Sequence, residues 1–257
     1  MALANFQIII PIRLNSTRLA KKALIDIGGK PLMWYVYQGA LQSGASNVII
    51  TSDHPDILAT AKQFGAKVCP SGDHHRTGSD RIAEVCQKMG FSDDQVVVNL
   101  QGDEPLVPKS VIDKIISPFD YQPSLGMSTI CTPIKTHEEL KSDSCVKVVV
   151  NHQGYALYFS RAPIHYPRGG ISSSYQIRQY RHLGIYGYRV GALKQWTQLP
   201  QPMIEQQESL EQLRALFYGH KIYVSIHDKA LCKSIDTQAD LDQFKKIVET
   251  SDSEFDT

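Results

Sequence analysis

The first hundred residues alternate short apolar, β-branched runs with helix-length stretches, and this rhythm restricts the fold more than any other feature of the chain. Phe6 to Pro11 is apolar and runs into a polar loop, as a buried parallel strand does. Pro31 to Ser43 reads as a helix, with Pro at its first turn and Gly44 just past its end. A strand over Asn47 to Thr51 follows, then a helix over Pro55 to Phe64 closed by Gly65, and a short strand over Lys67 to Cys69. A helix over Ser79 to Met89 ends at Gly90, and Gln95 to Leu100 is again apolar and β-branched. Alternation of this kind predicts an α/β fold, a mainly parallel sheet with helices on both faces. Ligands of such sheets sit beyond the carboxyl ends of the strands, which singles out the loops after Pro11 and after Leu100.

Beyond residue 120 the texture changes to a smaller, mixed β region. Met127 to Ile134, Val146 to Asn151 and Tyr155 to Ser160 read as strands, with a hairpin turn at Gly154. Residues 166–180 are polar and rich in Gly, Ser and Tyr, and read as a loop or an insertion. His182 to Arg189 is a further strand, and Ile204 to Tyr218 has helical spacing through Ile204, Leu210, Leu213 and Phe217. The chain closes with a strand over Lys221 to Ile226 and a helix begun by Asp236-Thr237. The acidic, aperiodic stretch from Glu249 to Thr257 is expected to be a disordered tail. Without repeats or a Gly- or Pro-rich linker, residues 1–248 are expected to form a single domain.

Lys plus Arg number 27 and Asp plus Glu 26, a formal net charge of +1. Nucleic-acid and membrane-surface binders need a sustained basic excess, so neither partner is expected, and any positive potential has to be local. The first residues lack a cationic stretch ahead of an apolar one, and Ile8-Ile9-Ile10 is too short to span a bilayer. Five scattered cysteines with no CxxC pair read as reduced thiols of a cytoplasmic protein, not as zinc ligands.

The positive charge gathers after the first strand. Residues 11–24 hold Arg13, Arg18, Lys21 and Lys22 with Ser16 and Thr17 and no carboxylate. A solvated basic turn would look the same, but the position at a strand's carboxyl end suits the phosphates of a nucleoside triphosphate. Gln101-Gly102-Asp103-Glu104-Pro105 follows a buried strand; Gly102 permits close backbone approach to a ligand, and Asp103 is a hard oxygen donor suited to Mg²⁺. An Asx-type turn is the plainer reading of the same residues. Asp236 offers a second carboxylate, although its spacing before Asp240-Leu241 is that of a helix N-cap. His74-His75 lack a third ligand at helical spacing, so residues 74–81 read as a nucleotide-contacting loop entering a helix. GxGxxG, a P-loop and a Gly-x-Ser-x-Gly elbow are all missing.

With these loops in place, the sequence resembles the 3-deoxy-manno-octulosonate cytidylyltransferases, or CMP-Kdo synthetases, of Gram-negative bacteria over residues 6–248. The resemblance rests on I-I-P-I-R-L-N-S-T-R-L (9–19), G-K-P-L (29–32), T-S-D-H (51–54), T-G-S-D-R (77–81), V-N-L-Q-G-D-E-P (98–105), V-K-V-V (146–149), G-Y-A-L-Y-F-S-R (154–161), R-H-L-G-I-Y-G-Y (181–188), L-E-Q-L-R (210–214) and I-D-T (235–237). It implies a Rossmann-like nucleotidyltransferase fold, with about 1–120 binding the nucleotide and about 121–225 binding sugar and forming a homodimer. By the same resemblance Arg13, Ser16 and Lys22 contact CTP, Thr77, Ser79 and Arg81 lie near the nucleotide, and Asp103 and Asp236 hold Mg²⁺. Gln101, Arg161, His182, Tyr186 and Glu211 would face the sugar acid. The family's usual Pro-Gly-Lys-Pro-Leu is here Ala20-Lys21-Lys22-Ala23-Leu24, which keeps the lysine in register and implies a more flexible, more basic loop.

The implied reaction transfers CMP from CTP to the anomeric hydroxyl of 3-deoxy-D-manno-octulosonate (Kdo), releasing pyrophosphate and supplying CMP-Kdo for lipopolysaccharide biosynthesis. Arg13 and Lys22 would stabilise the α-phosphate, and Mg²⁺ on Asp103 and Asp236 would activate the attacking hydroxyl, with another ion bridging the phosphates. The alternatives are a cytidylyltransferase for an amino-substituted octulosonate or for a nonulosonate such as sialic acid, and a non-catalytic nucleotide-sugar sensor. Loss of either metal carboxylate would favour the sensor; both are present.

Overall fold

Six residues without a charged side chain, Phe6–Pro11, form β1, and every one of them is buried. The computed structural model describes residues 5–14, 19–75, 77–165, 179–228 and 234–250. They fall into two compact units, one drawn from the described residues of 5–91, 97–112 and 234–250, the other from those of 92–96 and 113–228.

In the first unit a 3₁₀ turn (Lys22–Leu24) and a two-stranded antiparallel ladder, β2 (Asp26–Ile27) with β3 (Lys30–Pro31), lead to helix α1 (Leu32–Leu41). β4 (Asn47–Ser52) runs parallel to β1 with Ile9 opposite Ile49. Helix α2 (Pro55–Gln63) connects it to β5 (Lys67–Pro70), parallel to β4 with Thr51 opposite Cys69. Helix α3 (Gly78–Lys88) precedes β6 (Val96–Asn99), which flanks β1 on its other side. All four β6 residues are buried, as expected of a β-branched strand covered on both faces. Helix α4 (Lys109–Ile116), whose pattern the sequence reading does not pick out, carries the chain out of this unit.

The second unit starts with a short helix, α5 (Pro118–Tyr121), and strand β7 (Met127–Pro133). After α6 (His137–Lys141) come β8 (Lys147–Val150), β9 (Ala156–Ser160) and β10 (Tyr180–Arg189), and β8 and β9 close an antiparallel hairpin turned at Gly154, φ 86°. β10 is antiparallel to β7 and, through Tyr180 and Arg181, to β8. Its ladder with β7 is irregular between Leu183 and Tyr186, a bulge that alternation in the sequence does not reveal. Helix α7 (Val190–Thr197) buries Leu193 and Trp196.

The helical stretch expected over Ile204 to Tyr218 is two helices, α8 (Met203–Glu208) and α9 (Gln212–Phe217). The chain breaks at Ser209, whose φ of 51° is left-handed and ends α8. β11 (Ile222–Ile226) pairs in parallel with β7.

The chain then returns to the first unit. Helix α10 (Gln238–Thr250) buries Leu241, Phe244 and Val248 in one cluster with Ile27, Leu32, Tyr35 and Ile235. The Tyr35 and Phe244 rings meet edge to face at 5.4 Å. Of the expected tail, 249–250 belong to this helix, and 251–257 lie outside the described residues, as do 166–178 of the expected loop. Cys69, Cys86, Cys131 and Cys145 are buried thiols outside any disulfide, and burial pushes the Cys131 thiol up to about 12; Cys232 lies outside the described residues. No helix among the described residues is long and apolar enough to cross a membrane.

Candidate active site

Ile235 is 1 % exposed, and its backbone N–H donates to the Asp103 carbonyl at 3.0 Å. That anchor in the α10 core sets the next residue, Asp236, beside Asp103 although 133 positions separate them (236 − 103). The Lys22 ammonium lies between the two carboxylates, 2.6 Å from Asp103 Oδ2 and 3.2 Å from Asp236 Oδ1, and donates to the Ile235 carbonyl at 2.8 Å. One cation thus holds the position where two carboxylates and a carbonyl converge. These are hard oxygen donors of the kind Mg²⁺ prefers, and Mg²⁺ needs only one or two protein carboxylates besides phosphate and water. The set therefore fits that ion.

Asp236 does not cap α10. Thr237 does: its Oγ1 accepts from the Asp240 N–H at 3.2 Å, while Asp240 Oδ2 accepts from the Thr237 N–H at 2.8 Å. This reciprocal capping box satisfies the helix start and leaves the Asp236 side chain to Lys22 and to the Ser234 hydroxyl. Gly102 stands close to the segment that follows β1. A Cβ there would stand 2.9 Å from Ile12 Cγ1, so the glycine admits the segment after β1.

Lys21 adopts φ 51°, ψ 35°, the left-handed conformation that a glycine tolerates best. It occupies the place of the family's usual glycine, so the backbone turn before Lys22 is made here by a strained lysine. Lys21→Gly is expected to raise stability by about 0.5–1 kcal/mol, the left-handed penalty less the extra chain entropy of glycine. Urea unfolding of both proteins checks this; a destabilised variant would show that the lysine side chain contributes contacts worth more than its strain.

Thr77 caps α3, its Oγ1 accepting from the Asp80 N–H at 3.1 Å. Arg81, 1 % exposed, donates to the Ser71 hydroxyl and pairs with Asp53 at 3.3 Å. Its Nε is buried with no partner among the described residues. Ser79 is buried on the same helix. Arg13 is exposed and donates to the His75 carbonyl at 3.3 Å. Gln101 donates from Nε2 to Asn99 Oδ1 at 3.0 Å, beside the start of α3. Ser16 lies outside the described residues. The pair His74-His75 holds no metal cluster among the described residues; His75 Nε2 instead meets Glu84 Oε2 at 2.6 Å.

In the second unit the β10 bulge lets the Thr129 hydroxyl reach both the Ile185 carbonyl, at 2.8 Å, and His182 Nε2, at 2.9 Å. A hydroxyl has one proton, and donating it to the carbonyl makes Thr129 the acceptor from His182 Nε2–H. The imidazole then presents Nδ1 as an acceptor. Burial holds the His182 pKa down, from the ordinary 6.5 to about 3. Tyr186 lies 5.3 Å from His182 between ring centroids, and its hydroxyl is buried without a partner among the described residues. Burial pushes that phenol well up, with the charges of Tyr188 and Glu211 adding to the effect. Gln212, which the sequence reading misses, is also buried with Nε2 unpartnered among the described residues. Its only sequence signal is its place beside Glu211 in L-E-Q-L-R.

The Arg161 side chain is spread over carbonyls: Nε to Glu208 at 2.7 Å, Nη1 to Asp143 at 2.9 Å and Nη2 to Ser209 at 3.5 Å. A guanidinium carries five N–H groups, so these bonds do not exhaust it.

A histidine kept neutral in the fold destabilises it in acid. Between about pH 3 and 6.5 the unfolded chain binds the proton that His182 refuses, so stability falls as pH drops through that window. His182→Gln is expected to weaken that dependence, measured as the difference in urea midpoint between acid and neutral buffer. An unchanged difference would mean that the imidazole protonates in the fold.

The chain is similar to known proteins over nearly its whole length. A family model described as cytidylyltransferase matches residues 7–222. The 3-deoxy-manno-octulosonate cytidylyltransferase 1 of Actinobacillus pleuropneumoniae serotype 5b is 44% identical over 249 residues, covering 95% of this chain and 99% of that protein. The 3-deoxy-manno-octulosonate cytidylyltransferase of Yersinia enterocolitica is 43% identical over 247 residues, covering 95% and 98%. The solved structure of CMP:2-keto-3-deoxy-manno-octonic acid synthetase complexed with CTP superposes with a TM-score of 0.87 at 38% identity, covering 96% and 99%.

Proposed function

We infer the activity from one premise: the chain belongs to the 3-deoxy-manno-octulosonate cytidylyltransferase family. It transfers CMP from CTP to Kdo. The anomeric oxygen of the sugar forms a bond to the α-phosphorus, the bond from that phosphorus to the bridging oxygen breaks, pyrophosphate leaves, and the hydroxyl proton passes to solvent. Such a displacement asks the protein for placement and charge neutralisation and for little covalent work.

The observation that carries the site is the meeting of Asp103 and Asp236 on one cation, the Lys22 ammonium. We place Mg²⁺ on these two carboxylates, where it would lower the pKa of the attacking hydroxyl and offset phosphate charge. Lys22 cannot share that position, so it moves to the triphosphate when CTP arrives and, with Arg13, balances the charge that builds up on the α-phosphate and the leaving group. Ser16 and the start of α3, with Thr77, Ser79 and Arg81, belong to the nucleotide side. Arg81 serves there by holding Asp53 and Ser71 in place.

The sugar acid is assigned to Gln101, Arg161, His182, Tyr186, Glu211 and, from its unpartnered amide, Gln212. His182 Nδ1 would accept from a sugar hydroxyl, and Arg161 would meet the carboxylate. A neutral imidazole with a depressed pKa orients the sugar and does not serve as the acid. The exposed Tyr121, Leu157 and Phe217 lie in the region after residue 120 that we assign to a homodimer.

Phosphorus NMR of CTP and Kdo incubated with the enzyme and Mg²⁺ tests the activity. Equal growth of a phosphodiester resonance and of pyrophosphate is expected. CTP hydrolysis to CMP without the phosphodiester would contradict it.

A further inference from the structure

Lys147 is a buried cation that the reaction does not explain. It stands on β8, 2 % exposed, with no carboxylate in ion-pair range among the described residues. Its ammonium donates to the carbonyls of Ser142 at 2.8 Å, Cys145 at 2.6 Å and Arg161, which uses all three of its protons. Burying an ammonium is unfavourable even with three carbonyls, and a well-packed apolar side chain at such a position is often neutral or better for stability. Fold stability alone therefore gives little reason for a lysine here.

Its position supplies one. In the sheet Lys147 stands opposite Ser160 on one side and Arg181 on the other. These residues immediately precede Arg161 and His182, two of the side chains assigned to the sugar. The ammonium grips the Arg161 carbonyl directly. It also grips the carbonyl of Cys145, next to Val146, whose own carbonyl accepts from the His182 N–H at 2.8 Å. The Arg161 side chain extends the same hold to Glu208 and Ser209, and the Glu208 carboxylate returns it by accepting from the Ser160 hydroxyl at 2.6 Å and the Arg161 N–H at 2.9 Å.

We propose that Lys147 is a positioning residue for the sugar acid: its ammonium fixes the spacing between the backbones that carry Arg161 and His182. This rests on the assignment of those two side chains to the sugar. A positioning role and a structural role differ in what they leave unchanged. Loss of fold alone lowers the melting temperature and the active fraction but moves neither KM. Loss of positioning raises the KM for one substrate.

The experiment is steady-state kinetics of pyrophosphate release on the full chain, with Kdo and CTP varied in turn, for Lys147→Met, Arg161→Ala and His182→Ala, with melting curves alongside. Lys147→Met is expected to raise the KM for Kdo roughly tenfold and leave that for CTP within about twofold. If that variant does not fold, Lys147→Gln, which keeps two donors and loses the charge, is expected to give a smaller rise confined to Kdo. An unchanged KM for Kdo in a folded variant, or an equal rise for both substrates, overturns the proposal. If Arg161→Ala and His182→Ala both leave the KM for Kdo unchanged, the sugar assignment itself falls and the role of Lys147 with it. If those two raise it and the Lys147 variant does not, only the positioning role is lost.

Discussion

Asp103→Asn and Asp236→Asn are each expected to lower turnover at least ~100-fold, because a metal-assisted displacement loses both its activated hydroxyl and its charge balance when a ligand carboxylate becomes an amide. Both side chains are partly exposed, 26% and 30%, and neither lies in the apolar cluster that holds α10, so the fold should persist. The helix start should persist too, since Thr237 and Asp240 cap it without Asp236. Turnover at saturating Mg²⁺ and both substrates, set beside a melting curve, decides the matter. Near-normal turnover in either variant would remove that residue from the metal site.

Lys22→Ala is expected to cost a similar factor, on the order of 100-fold in kcat/KM, because a partly buried cation already positioned for developing phosphate charge is worth more than one in solvent. Lys21→Ala should cost little, since Lys21 serves by its backbone turn and its side chain is not the one gripping the carboxylates. Equal losses from both would mean that the phosphate-facing lysine is wrongly assigned. Lys22 also carries a prediction independent of catalysis. Its ammonium excludes another cation from Asp103 and Asp236 in the CTP-free chain, so Lys22→Met should bind Mn²⁺ more tightly than the parent without nucleotide, as titration followed by electron paramagnetic resonance would show. Unchanged Mn²⁺ affinity would indicate that the metal is not held by this pair.

In the first half β1, β4 and β6 were legible because each is short and largely apolar and β-branched, and α1, α2 and α3 because a glycine follows closely on each. Gly44, Gly65 and Gly90 all take positive φ. The loops after Pro11 and Leu100 could be singled out because strand ends in such sheets face ligands. The convergence of Lys22, Asp103 and Asp236 was not visible in spacing, since it depends on Ile235 packing into a core built by residues 27–35. Spacing alone favoured a capping role for Asp236, and the competitor was one residue away: Thr237 and Asp240 make both halves of the cap. The apolar spacing from Ile204 to Phe217 runs straight through Ser209, where only the left-handed backbone reveals the break. The β10 bulge and Gln212 escaped for a related reason. A register shift and a buried amide leave no periodic trace, and both become apparent only once Thr129 and α9 are in place.

This chain couples CTP to Kdo, and under the metal assignment proposed above Mg²⁺ takes part in the step. Pyrophosphate release from CTP, measured against Kdo, its amino-substituted analogue and sialic acid, with Mg²⁺ and with chelator, tests it in one plate. Release with Kdo that is fastest of the three and abolished by chelator is the predicted result. Release unaffected by chelator, or faster with either of the other sugar acids, would contradict it.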